Sequence, residues 1–201
     1  MPTLYLFISY NEVNIIMEFD AFSHSQIHSK VWLSEKLEPY LKPKSKIVVL
    51  GCWYNVMGMI LMIRNPHLGL IIKGIDIDQD SINYADQLTT AWRYEFENPF
   101  NNECADANNY NLGNYDIVIN CSVEHMQSDD WFKNIPSGKI VCLQSMDINI
   151  TNDPIYKITN PNTSVEEFID KFKMAKTLFL DSKKFNYPKN SFTRFCHIGY
   201  K

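Results

Sequence analysis

Lys46-Ile-Val-Val-Leu-Gly51-Cys-Trp-Tyr-Asn-Val-Met-Gly58 packs an apolar, β-branched run against a glycine and then turns. A short continuous apolar run of this kind is the pattern of a strand buried on both faces, as in a parallel sheet covered by helices. Val56 to Arg64 follows as a compact apolar helix, stopped by Asn65-Pro66. The whole stretch from Ile47 to Ile63 carries no formal charge, which invites a membrane reading. A bilayer span needs ~20 such residues, and Asn55 and Gly51 interrupt this one. Strand, turn and helix is the expectation, with no membrane partner.

The same cycle recurs downstream. Leu70 to Asp76 reads as a second buried strand ending in an acid, and Asp80 to Tyr94 as a helix that Asp78, Asp80 or Ser81 can cap. Asn101–Ala107 is a third short strand, Tyr115–Asn120 a fourth and Lys139–Ser145 a fifth. A short helix around Asp129–Ile135 and the turn Pro136-Ser-Gly138 separate the last two. Thr163 or Ser164 ahead of Glu166 and Glu167 is a capping signature for an amphipathic helix. Two strand-like runs, Thr177–Phe185 and Phe192–Tyr200, then close the chain as a hairpin. Upstream, Ile27, Val31, Leu37 and Leu41 have helical spacing from Ser25, with Pro39 and Pro43 ending it. Leu4–Ile8 reads as a short strand. Strands alternating with helices give an α/β fold, a Rossmann-like doubly wound sheet of about seven strands with a C-terminal antiparallel hairpin.

Length and composition agree with one domain over 1–201, in which 1–44 is an N-terminal segment with a covering helix and 45–201 the core. The chain has 201 residues, 45% hydrophobic and 21% charged, the ordinary globular range. Net charge is −4 and no block of like charge occurs, so nonspecific nucleic-acid binding is not expected. The 5 cysteines are odd in number and form no CxxC pair, which argues against a zinc ribbon or a dithiol redox motif. Most lie in apolar runs, as buried free thiols in a reducing compartment do. No secretory leader pattern is present, so the expected location is cytoplasmic.

In a doubly wound sheet, ligands bind beyond the carboxyl ends of the strands, near the point where strand order reverses. The residues just after each strand are therefore the candidates. Asp76 stands at the end of the second strand, where a carboxylate can accept both hydroxyl hydrogens of a ribose. The bland reading is a helix cap or a solvated acid. After the fourth strand, Asn120-Cys-Ser-Val-Glu124-His125-Met126 sets a carboxylate beside an imidazole, groups suited to removing a proton. Against that, Glu124 starts a helix and His125 packs on Trp131. Cys121 as a nucleophile is disfavoured, because a buried thiol is the commoner case. His24 and His28 have helical metal-pair spacing, yet no third ligand accompanies them, and no metal site is expected.

Gly74-Ile-Asp76-Ile-Asp78, Cys104-Ala-Asp106-Ala107 and Asn114-Tyr-Asp116-Ile-Val-Ile-Asn120 occur in that order. Together with the terminal hairpin they resemble class I S-adenosylmethionine-dependent methyltransferases, over roughly Ile47 to the C-terminus. The segments Trp-Tyr-Asn and Glu-His-Met also resemble small methyltransferase-like proteins of tailed phages. The resemblance implies that Asp76, with Ile77 beside it, meets the cofactor ribose. It implies that Asp106 and the Ala107 amide meet the adenine, and that Asn120 faces cofactor and substrate. Gly51, Trp53 and Asn55 fall in the family's glycine-rich loop, and there the chain departs from it. Trp53 and Asn55 stand where later glycines belong, and Val49 replaces an acid. A glycine permits close approach and positive φ, which Trp53 does not do cheaply.

The expectation is S-adenosylmethionine as cofactor, direct methyl transfer to a small-molecule or nucleotide-sized acceptor, and Glu124 and His125 as catalytic candidates. Three alternatives stand beside it: a noncatalytic binding protein in which Trp53 fills the adenosyl pocket, an enzyme doing other chemistry on the same cofactor, and, as the weaker enzyme alternative since the loop lacks GxGxxG, a nicotinamide enzyme with Asp76 still on a ribose. The sequence gives no oligomeric state.

Overall fold

Strand β1 (Lys46–Leu50) lies between β2 (Ile71–Asp76) and β4 (Ile117–Asn120), parallel to both. The computed structural model describes residues 20–95, 100–147, 158–186 and 191–201. Its seven strands run in the order β3-β2-β1-β4-β5-β7-β6, with β3 Phe100–Cys104, β5 Ile140–Met146, β6 Lys176–Asn186 and β7 Ser191–Tyr200. Strands β1 to β5 are parallel, whereas β7 runs antiparallel to both β5 and β6. The doubly wound sheet and its closing hairpin are therefore as the alternation of runs implied. The third strand sits earlier than its apolar residues suggested and ends at Cys104, which leaves Asp106 free of the ladder. The strand reading of Leu4–Ile8 lies outside the described residues.

Alternation along each strand splits the core in two. Ile47, Val49, Ile117, Ile119 and Cys142 face one side, under helices α1 (His24–Leu37) and α2 (Val56–Arg64). Val48, Leu50, Val118, Val141 and Leu143 face the other, where Trp131, Phe168 and Phe172 fill the space. Helix α3 (Gln79–Glu95) follows β2, and α4 (Asp130–Lys133) is a single turn between β4 and β5. Helix α5 (Val165–Lys171) is capped as its sequence indicated. Ser164 Oγ accepts the Glu167 N–H at 3.2 Å, and Thr163 donates its N–H and hydroxyl to Glu167 at 2.8 and 2.6 Å. Asp78 caps α3, accepting from the Ser81 hydroxyl at 2.6 Å.

Helix α1 packs beside α2 and reaches β5 and β7. Gln144 of β5 donates from Nε2 to the Ser29 carbonyl at 2.8 Å, which ties the helix to the sheet in its buried layer. The covering helix thus lies over β5 and β7. Among the described residues no helix is long and apolar enough to cross a membrane.

Candidate functional site

The chain reverses its winding direction between β1 and β4, and open α/β sheets bind ligands in the crevice outside the carboxyl ends of the strands at such a reversal. Gly51, Trp53 and Asn55 all hold left-handed backbone there, with φ of 55°, 49° and 50°. The two later positions therefore keep a conformation that favours glycine without being glycine. Asparagine visits it readily, whereas for tryptophan it costs roughly 1–2 kcal/mol.

Asn55 shows how the loop is held. Its side chain is fully buried, caps α2 by accepting the Gly58 N–H at 3.2 Å, and donates to Asn102 Oδ1 of β3 at 2.8 Å. Gly74 of β2 makes room for that pair, since a Cβ there would lie 2.4 Å from both amides. Sequence reasoning placed Asn55 toward the cofactor; its side chain instead points into the sheet and anchors the loop from below. Trp53 presents its backbone to the site. Its N–H donates to Asp76 Oδ2 at 2.7 Å, while its ring tilts against Tyr54 at 4.8 Å, which in turn meets Tyr84 at 5.3 Å.

Asp76 ends β2 half-buried, and its second oxygen accepts the Asp78 N–H at 3.1 Å. Burial raises its pKa, opposed by the N–H groups of Asp78, Trp53 and Ile77. The next side chain, Ile77, is apolar yet 69% exposed, an open surface beside the carboxylate. Asp106 caps the 3-10 turn Ala107–Asn109, with Oδ1 accepting from the Asn108 N–H and amide at 2.9 Å and Oδ2 from the Asn109 amide at 2.8 Å. Ala107 is buried under it.

Across the crevice, Asn120 ends β4 fully buried. Its Oδ1 accepts the Ser122 N–H at 2.8 Å, and its Nδ2 has no acceptor among the described residues. Ser122 donates to the Gly51 carbonyl at 3.1 Å, so the two loops are stitched together. A Cβ on Gly51 would meet Ser122 Cβ at a tight 3.3 Å and Met126 Sδ at 3.5 Å, and its φ of 55° strains any side chain there. Glu124, in the 3-10 turn Val123–His125, is 1% exposed and accepts from Arg194 of β7 at 3.0 Å. His125 is 38% exposed, with Nε2 3.9 Å from Glu124. The two catalytic candidates thus separate: a carboxylate committed to a buried guanidinium, and an imidazole open to solvent.

Arg194, Lys30 and Gln144 were not singled out in the sequence. Arg194 carried a signal, a lone charge in the apolar run Phe192–Ile198 on the side that Cys196 and Ile198 bury. Lys30 carried none. The cysteines follow expectation only in part: Cys52, Cys142 and Cys196 are buried, Cys121 is half-buried and Cys104 exposed. Burial pushes the Cys121 thiol up to about 11, so it is protonated and a poor nucleophile. His24 and His28 have ring centroids 3.7 Å apart, and no metal-binding cluster occurs among the described residues.

No protein-family model and no curated protein matches the sequence. Solved structures do. A protein assigned as a sarcosine dimethylglycine methyltransferase from Galdieria sulphuraria superposes with a TM-score of 0.67 at 14% identity, covering 96% of this chain and 91% of that one. Magnesium protoporphyrin IX methyltransferase from Synechocystis PCC 6803 gives 0.61 at 13% identity over 97% and 87%. The cyclopropane synthase MmaA2 from Mycobacterium tuberculosis gives 0.61 at 13% identity over 78% and 63%. The fold is that of the class I S-adenosylmethionine-dependent methyltransferases.

Within that methyltransferase fold, the residues present fit a nucleoside cofactor on the β2 side. A carboxylate has about four acceptor sites. Asp76 gives two to backbone N–H groups in well-formed hydrogen bonds, so capacity remains for ribose hydroxyls. Ile77 offers an apolar face beside it, and the orphaned Asn120 amide offers a donor across the crevice. The glycine-poor loop is no obstacle in backbone terms, because it already holds the left-handed geometry.

Proposed function

We propose that the chain is an S-adenosylmethionine-dependent methyltransferase that acts by direct methyl transfer on a small-molecule or nucleotide-sized acceptor. The observation that carries this reading is Asp76. Its carboxylate stands at the end of β2 beside the winding reversal, fixed by two backbone N–H groups and with acceptor capacity left for a diol. Bound there, the cofactor supplies a methyl group already activated on a sulfonium. Asp76 would hold the ribose, Ile77 and Ala107 the adenine faces, Asp106 its amino edge, and Asn120 the polar end.

The protein's remaining work is alignment, which supplies much of the acceleration when the methyl group needs no further activation. For an acceptor that arrives protonated, His125 is the side chain placed to take the proton, being exposed just past β4. Glu124 acts on it indirectly, since its buried ion pair with Arg194 fixes the turn on which His125 sits.

Calorimetric titration of S-adenosylmethionine and S-adenosylhomocysteine into the wild type and Asp76→Ala tests this. Micromolar binding, about −8 kcal/mol, lost in the variant supports the reading. No heat from either ligand, with folded protein free of copurified cofactor, overturns it and leaves a noncatalytic fold. A second reading, other chemistry on the same cofactor, is favoured by one observation. The fold neighbours include a cyclopropane synthase, so product analysis belongs beside the binding assay.

A further inference from the structure

At the opposite end of the sheet from the cofactor crevice, where β1, β4 and β5 begin and β7 finishes, the described residues line a cavity of about 480 Å³. That volume lies within the ~300–1,000 Å³ of ordinary small-molecule sites. One wall is the loop from Pro39 to Ser45 that leads from α1 into β1. The other is made by Asp116 just ahead of β4, the Gly138 turn ahead of β5, and Tyr200 at the end of β7. A Cβ on Gly138 would meet nothing within 4 Å, so this turn borders open space.

Backbone hydrogen bonds hold both walls. Lys42 donates its N–H to Ser45 Oγ at 3.1 Å, and Ser45 returns its N–H to the Lys42 carbonyl at 3.0 Å. Lys44 donates its N–H to the Leu68 carbonyl at 2.8 Å and keeps left-handed backbone at φ 62°, which a glycine would adopt more easily. Pro39 and Pro43 stiffen the same loop by fixing their own φ. Across the cavity, Gly138 donates its N–H to the Lys201 main-chain oxygen at 2.7 Å, and Asp116 Oδ2 accepts the Lys46 N–H at 2.9 Å.

The lining is cationic. Lys42, Lys44 and Lys139 stand against a single carboxylate, Asp116, which leaves an excess of two positive charges. Among the described residues no carboxylate pairs with Lys42 or Lys44. Lys139 donates one N–H to the Gly113 carbonyl at 2.8 Å and has further donors to give. Tyr40, Leu41, Ile140 and Tyr200 are half-buried around the same cavity, so ring and aliphatic surface adjoins the charge. No arginine is among the lining residues. Carboxylates are matched best by the planar fork of a guanidinium, whereas ammonium groups act as point charges that suit a phosphate. A phosphate monoester carries about −1.5 to −2 charges at neutral pH, close to the excess it would meet.

We propose that this cavity binds a small phosphate monoester with a ring-bearing body, at a site separate from the cofactor crevice. The phosphate oxygens accept from the Lys42, Lys44 and Lys139 ammonium groups, and the body rests against the apolar wall that Tyr40 and Tyr200 provide. The site goes beyond the methyltransferase reading and does not depend on it, since Asp76 and Asn120 stand at the other ends of their strands.

The test is calorimetric titration of phenyl phosphate into the full chain, at constant ionic strength set with chloride and with or without saturating S-adenosylhomocysteine. Phenol, benzoate and glycerol 2-phosphate are titrated beside it. The expected result is saturable binding of phenyl phosphate, roughly tenfold tighter than any of the others and unchanged by S-adenosylhomocysteine. Lys44→Gly removes an ammonium while easing the backbone, so it is expected to fold and to weaken phenyl phosphate roughly tenfold. Lys42→Gln should act in the same direction. Asp116→Asn keeps an acceptor for the Lys46 N–H and raises the charge excess, so it should bind phenyl phosphate more tightly. Equal affinity for phenyl phosphate and phenol, affinities unchanged in the lysine variants, or weaker binding in Asp116→Asn overturns the site. Displacement by S-adenosylhomocysteine does the same, because it would put the phosphate in the cofactor crevice. Benzoate binding as tightly as phenyl phosphate overturns the phosphate assignment, and glycerol 2-phosphate doing so overturns the role of the apolar wall.

Discussion

The Trp53 backbone N–H donates to Asp76 Oδ2 at 2.7 Å, so the loop after β1 is fastened to the acid after β2. The bond uses the main chain of Trp53 and leaves its ring against Tyr54. The residue that departs most from a glycine-rich loop thus serves the site through an atom that every residue but proline has.

Exchanging the two residues separates main chain from side chain. Asp76→Asn loses charge and acceptor capacity, and is expected to cut S-adenosylhomocysteine affinity at least ~10-fold and stability by about 1 kcal/mol. Trp53→Gly keeps the N–H and relieves the left-handed backbone. Its affinity should stay within about threefold of wild type, because the hydrogen bond that fixes the acid survives. Titration of both variants reads the difference, and equal losses would put the Trp53 ring into the cofactor site.

Asn55 combines a cap, a cross-strand hydrogen bond and left-handed backbone at φ 50°. Asn55→Ala removes the first two and strains the third, and is expected to destabilise by about 2–4 kcal/mol. Asn55→Gly loses the same hydrogen bonds but not the backbone fit, so it should be less destabilised by about 1 kcal/mol. Urea denaturation of the pair measures the gap, and a gap of zero would mean that the backbone carries no strain.

The difference between what the sequence showed and what it did not follows the same division. The doubly wound sheet became readable because Lys46–Leu50, Leu70–Asp76 and Lys139–Ser145 are continuous apolar runs, the pattern of a sheet covered on both faces, whereas the order of the strands came only from the structure. Asp76 was readable because position alone singles out an acid at a strand end. Asn55 was not, because the loop pattern names a position and the buried partner, Asn102, stands in another strand. Lys30 had no local signal at all: its burial arises only where α1 packs on β5 and β7, a contact between distant segments. Glu124 looked catalytic beside His125 for the converse reason. Its partner Arg194 lies in the last strand, and no spacing rule links the two.

Lys30 makes stability depend on pH in a definite direction. Burial sets its folded pKa at about 8, against 10.5 for an exposed lysine. Between these values the unfolded chain holds a proton that the folded chain has released, so this group makes stability rise with pH and level off above 10.5. The full effect is about 3 kcal/mol. The thiols of Cys52, Cys142 and Cys196, raised by burial, act oppositely in the same range. The measurement is therefore the difference between wild type and Lys30→Met, by urea denaturation at pH 7.5 and above. The variant is expected to be more stable at the low end, with the gap closing as pH rises; a constant gap would assign Lys30 an exposed, ordinary ammonium.

The Glu124–Arg194 pair calls for a cycle rather than a single substitution. With side chains 1% and 3% exposed, removing either partner leaves an uncompensated buried charge, and Glu124→Leu or Arg194→Met alone should cost about 3–5 kcal/mol. The double variant removes both desolvation penalties and replaces them with apolar contact. It should recover most of the loss, because a buried ion pair is seldom worth more than a packed apolar one. Its effect on activity separates two roles that stability cannot. If Glu124 works by fixing the turn that carries His125, the double variant keeps cofactor affinity while turnover falls for an acceptor that must lose a proton. For an acceptor that needs no base, turnover should be unaffected. Loss of turnover for both acceptor types would mean that the pair contacts the acceptor directly.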